Sequence, residues 1–113
     1  MRLKLQQGEV FREDFALRAR WYVREAGGAV ALRYQKAVDA TLELLCGQPG
    51  LGRKRRFRHP SLQGLQSFQV QRPFNRLLIF YRASDDVLHA VRLMHGARDL
   101  SRRLSEPPVP NAT

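Results

Sequence analysis

Leu3 and Leu5 alternate with Arg2 and Lys4, which is the two-residue period of a short strand. From Val10 onward the period lengthens. Phe11, Phe15, Ala19, Tyr22, Val23 and Ala26 fall on one face of a helix, and the pair Gly27-Gly28 interrupts it. Ala31, Tyr34, Val38, Thr41, Leu42 and Leu45 form a second helical stripe. Gly47 stands where a capping glycine belongs, and Pro49 prevents continuation. Two amphipathic helices joined by a glycine pair predict an antiparallel hairpin whose apolar stripes need a cover.

Residues 47–64, GQPGLGRKRRFRHPSLQG, carry Gly, Pro and charge without apolar period and read as a loop. Three strands follow. Leu65 to Gln71 sets Phe68 and Val70 on one face. Leu77 to Tyr81 is a continuous apolar run, as in a strand covered on both sides, and Val87 to Met94 is the third. Ser84-Asp85-Asp86 is turn chemistry, and Pro73, which lacks an N–H, belongs at the break between the first two strands. The order is β-α-α-β-β-β. It predicts an α+β domain over residues 1–104, with an N-terminal strand and a helix hairpin packed on a mainly antiparallel sheet of about four strands. The segment 105–113, SEPPVPNAT, has three prolines and no apolar period and reads as a disordered tail.

Length and composition add bounds. One domain fits 113 residues, and 43% hydrophobic residues can fill one core. No apolar stretch reaches the length of a membrane span, and MRLKLQQGEVF has no apolar export segment. The lone Cys46 lacks a disulfide partner, and no histidine pair has metal-ligand spacing, so a cytoplasmic chain without metal or other cofactor is expected.

Charge changes the picture most. Twenty Lys and Arg oppose ten Asp and Glu, a net +10; seventeen of the twenty are Arg. Residues 1–50 contribute +2 and residues 51–113 contribute +8. Arginine holds its charge when partly buried and binds phosphate or carboxylate through two parallel bonds, so the second half should face an anionic partner. Arg53, Lys54, Arg55, Arg56 and Arg58 form a basic run, for which a solvated loop is a simpler reading than a specific site. Gly50-Leu51-Gly52 lacks the Lys-Ser/Thr of a phosphate loop.

Several segments together resemble one family. Phe11 to Tyr22, with Asp14, Phe15, Ala19 and Tyr22, resembles a first-helix pattern. AVDATLELLCGQPGLGR resembles a second helix with its Pro-x-x-Gly-Arg turn. LQGLQSFQVQRPFNRLLIFYR resembles a strand pair, and VRLMHGARDL a closing strand with its His-Gly-x-Arg-Asp end. In this order they are similar to the ParE branch of the ParE/RelE toxins of type II toxin–antitoxin (plasmid stabilisation) systems, over about residues 10 to 100. The chain departs from the pattern at Gln6-Gln7-Gly8-Glu9 and in its extra tail. The resemblance implies a toxin neutralised by a cognate antitoxin whose disordered C-terminal segment wraps around it, in a homodimer or a toxin–antitoxin hetero-oligomer. It implies DNA gyrase as the target, by binding. RelE-like members of the same fold instead cut mRNA on the ribosome, so fold does not choose between the two.

Messenger cleavage without a metal needs a proton acceptor, cations at the phosphate and a proton donor. Arg76, at the start of the central strand, and Arg98, after the last, match family arginines. His95 is the one proton carrier expected near them, with Tyr81 farther off. The favoured reading of His95 is structural, an imidazole that fixes the strand end by hydrogen bonding, ahead of catalysis or partner contact. Arg72, Arg76, Arg82, Arg92 and Arg98 form a candidate set for contacting target or antitoxin. Val10, Leu17 and Trp21 lie opposite Phe15 on the first helix, as a candidate antitoxin or dimer contact or as ordinary packing on arginine stems. A basic module that binds nucleic acid without toxicity is a further alternative.

Overall fold

The computed structural model describes residues 2–96 and 100–108. β1 (Lys4–Gln7) leads through Gly8 into α1 (Glu9–Ala26), and α2 (Gly28–Gly47) follows after the single residue Gly27. That residue has a φ of 93°, a conformation glycine adopts without steric cost, so the hairpin turn is as tight as the glycine pair suggested. β2 (Arg53–Lys54), β3 (Gln66–Gln69), β4 (Leu77–Ala83), β5 (Val87–His95) and α3 (Leu100–Leu104) complete the order, with short 3-10 turns at Pro49–Leu51 and Pro60–Leu62.

Among the described residues the sheet has five strands, in the order β1-β5-β4-β3-β2, where about four were expected. The extra strand is β2, inside the segment read as a loop. Both its residues are exposed and charged, so no apolar alternation marks it; pairing of Arg53 with Ser67 and Lys54 with Gln66 makes it a strand. β1 runs parallel to β5, and every other pair is antiparallel.

The hairpin covers one face of the sheet. Tyr34, Val38, Leu42 and Leu45 of α2 and Phe11 of α1 bury against Leu77, Ile79, Tyr81, Leu88, Ala90 and Leu93. Val23 and Ala26, expected on the inward stripe, are exposed near the end of α1. A smaller cluster on the opposite face joins Leu62, Leu65, Phe80 and Met94 to Leu104 of α3. Covering both faces explains the unbroken apolar run of β4. Between Phe80 and Tyr81 the pairing jumps from Arg92 to Ala90. This leaves Val91 as the extra residue of a bulge and lets Ala90 and Leu93 both face the hairpin.

β1 covers only residues 87–90 of β5. Beyond it, α1 crosses the open edge, and the Asp14 carboxylate accepts the Leu93 N–H at 3.0 Å, a bond a neighbouring strand would otherwise take.

Candidate functional site

The sheet end where β3 turns into β4 and where β5 stops gathers the chemistry of the second half. Gly96 donates its N–H to the Arg76 carbonyl at 2.8 Å, and a Cβ on Gly96 would come within 3.1 Å of Leu78. The glycine after His95 thus lets the two chain segments close, bringing Arg76 and His95 to one place. Arg18 and Trp21 of α1 complete a cleft of about 260 Å³ with Tyr22, Phe74 and Asn75. The Arg18 guanidinium lies 5.2 Å from the centre of the Trp21 ring. Trp21 meets Tyr22 edge-on at 5.2 Å, and Tyr22 touches both Tyr34 and Phe74, so an aromatic series ties the indole to the core.

His95 closes this cleft from behind. Burial pushes its pKa below the ordinary imidazole value; Arg18, Arg103 and Arg76 push it the same way, and a bond to the Gly96 backbone opposes them. Its Nδ1 and the Nη2 of Arg103 are buried without a hydrogen-bond partner among the described residues, while Arg103 Nη1 donates to the His95 carbonyl at 3.1 Å. The lowered pKa disfavours the imidazole as a proton donor while leaving it able to accept a proton.

The other candidate residues are dispersed. Tyr81 is fully buried. Its hydroxyl accepts from the Gly52 N–H at 2.9 Å and donates to the Pro49 carbonyl at 2.7 Å, so it fastens the loop before β2. Burial raises its pKa, against the Gly52 bond. Arg92 does not stand on a surface with the other arginines: it is 5% exposed and donates to Asp14 and to the Leu104 and Glu106 carbonyls. Arg82 is held by the Gln63 and Ser61 carbonyls at 2.9 and 2.6 Å. Arg72 is exposed beside the turn, and Arg98 lies outside the described residues. Val10 opens onto a separate groove lined by Gly8, Glu13, Ala90 and Val91, and Leu17 faces other hollows, so the three α1 residues do not share one cleft.

Arg18 and Arg103 were missed in the sequence. Arg18 was within reach of it, three residues before Trp21 on the same helix face. Arg103 was not, because the placing of α3 depends on tertiary packing. Cys46 is buried with its thiol pKa raised, chiefly by burial, as suits a small core residue. No group of three His, Cys, Asp or Glu among the described residues could hold a metal ion, and no described helix is long and apolar enough to cross a membrane.

Along most of its length the chain also matches a known family. The family model of the ParE toxin of type II toxin–antitoxin systems, parDE, matches residues 9–100. The chain belongs to the ParE toxin family. A comparison with curated protein sequences finds no match. Among solved structures, the ParE-family fold is similar to a chain described as the chromosomal ParDE toxin–antitoxin system from P. aeruginosa. The TM-score is 0.68 at 16% identity, covering 84% of this chain and 97% of that one.

Proposed function

We propose that this ParE-family chain stops growth by binding DNA gyrase, that it catalyses no cleavage, and that a cognate antitoxin with a disordered C-terminal segment neutralises it. The observation that carries the reading is the state of the proton carriers at the arginine-bearing sheet end. Burial and three neighbouring guanidinium groups lower the His95 pKa, which disfavours it as a proton donor, and Tyr81, the other candidate, is buried with its hydroxyl committed to Gly52 and Pro49, so no donor–acceptor pair stands beside Arg76 among the described residues. Arg18, Arg76 and Trp21 then form a binding surface, with forked donors for an acidic partner and an indole for apolar contact. The antitoxin reading draws on the family and on the same surface, where acidic side chains would pair with Arg76.

The test is induction of the chain alone in a bacterial host, with gyrase supercoiling and ribosome-bound mRNA cleavage assayed on one preparation. Lost supercoiling with intact messages is expected. His95→Gln should keep inhibition within about threefold, while Arg76→Glu should weaken it by about tenfold or more, the scale of one charge-assisted contact. Cut messages with unaffected gyrase would overturn the reading in favour of a RelE-like nuclease using Arg76, His95 and Arg98.

A further inference from the structure

The basic run in the loop after β2 is not absorbed by the sheet-end cleft, and the fold gives it a partner that the sequence alone did not suggest. α3 folds back so that Ser101, Arg102 and Ser105 lie across from Arg56, Arg58 and His59, enclosing a groove of about 630 Å³. Arg56, Arg58 and Arg102 are exposed, and Arg53 and Lys54 extend the positive strip along the β2 edge. Between Glu43 and Asp85 the chain has no acidic residue and eight basic ones. Among the described residues the one carboxylate bonded in the groove region is Glu106, 2.7 Å from Arg102 Nη1, in an exposed pair of the kind that contributes little and exchanges readily.

We infer that this groove binds the phosphodiester backbone of a double-stranded nucleic acid, as a site separate from the sheet-end cleft. Three forked cations with serine hydroxyls beside them match an extended array of phosphates, each offering two oxygens to a guanidinium. An acidic protein partner fits less well. Protein interfaces centre on apolar and aromatic anchors, whereas interfaces with nucleic acid are more polar and far more positive. The exposed large apolar side chains among the described residues are Leu5, Val10, Val23, Leu32, Leu44 and Leu51, and none lines the groove. Phe57 lines the groove but is half-buried and packs against the second cluster, and one aromatic gives no series of platforms for successive unpaired bases, which favours a duplex over a single strand. Because the site reads charge and shape, it should bind without sequence preference.

Fluorescence anisotropy of the full chain with a labelled duplex DNA of about 20 base pairs, titrated across salt concentrations, tests this. The triple variant Arg56→Gln, Arg58→Gln, Arg102→Gln should bind at least about tenfold more weakly at about 100 mM salt, and its log–log salt slope should shrink by about 2.7, or 0.9 per lost phosphate contact. Arg72→Gln with Arg76→Gln, outside the groove, should lose less than about threefold. A single-stranded oligomer of equal length should bind more weakly than the duplex. Equal losses in both variant sets, or a wild-type affinity independent of salt, would overturn the inference. So would a tighter single strand, and polyglutamate competing as well as duplex would assign the groove to an acidic protein.

Discussion

The Asp14 carboxylate accepts three hydrogen bonds, from Arg92 Nε at 2.8 Å, Arg92 Nη2 at 3.1 Å and the Leu93 N–H at 3.0 Å. Both side chains of the pair are 6% exposed. Removing one partner strands the other charge away from water. Asp14→Ala should therefore cost about 3–5 kcal/mol in urea unfolding, and a double Asp14→Ala, Arg92→Met chain should recover part of that loss. If the double variant is no more stable than Asp14→Ala alone, the stranded charge is not the cause. At His95 the fold favours the neutral ring, so the unfolded chain takes up the proton at higher pH than the folded one. The stability this contributes is full above the ordinary value of 6.5 and is lost as pH falls through the lower folded value. Thermal unfolding should then move to lower temperature as pH falls below about 6.5, and His95→Gln should flatten that dependence. Of these residues the sequence displayed His95 by its neighbours Gly96 and Arg98. Asp14 was visible only as part of a helix pattern, because its partner Arg92 lies 78 positions away.

At the scale of elements, the helices and the long strands were legible because each has one buried stripe with a fixed period. β2 and α3 were not. β2 is two charged residues whose strand character comes from β3 and from the turn behind them, and the Tyr81 hydroxyl fixes that turn at Gly52 and Pro49. A Cβ on Gly52 would overlap the Tyr81 ring, so the loop and the phenol are closely fitted. Tyr81→Phe removes both bonds at a cost of about 1–3 kcal/mol, and it should speed hydrogen exchange at the β2–β3 pairing more than within β4. Uniform acceleration across the sheet would show that the hydroxyl stabilises the whole fold and not this edge. α3 is five residues long with Leu100 and Leu104 turned to the second cluster, too short for a periodic stripe to be recognised from sequence.

At the scale of the whole molecule, the uneven charge was plain in the sequence, but its division was not. Folding separates the arginines into three kinds. Arg92 is interior, Arg82 braces a turn, and among the others Arg18 and Arg76 line the sheet-end cleft while Arg56, Arg58 and Arg102 line a groove on the second face. A list of arginines in sequence order treats them alike; burial and backbone carbonyls decide which are left to meet a partner. The same division predicts that gyrase inhibition and duplex binding respond to different substitutions.

The parallel pairing of β1 with β5 also sets an order of events during synthesis. Lys4 faces Val87, 83 positions later. At about 5–20 residues per second, the first strand waits roughly 4–17 s after leaving the peptidyl-transferase centre before its partner is made. Until then Leu5, Gln6 and Gln7 have no strand to join, and the α1 carboxylate that will take the Leu93 N–H has nothing to hold. A nascent chain halted before Val87 therefore lacks both the completed sheet and the His95 side of the cleft, so the cleft cannot close until β5 has been made.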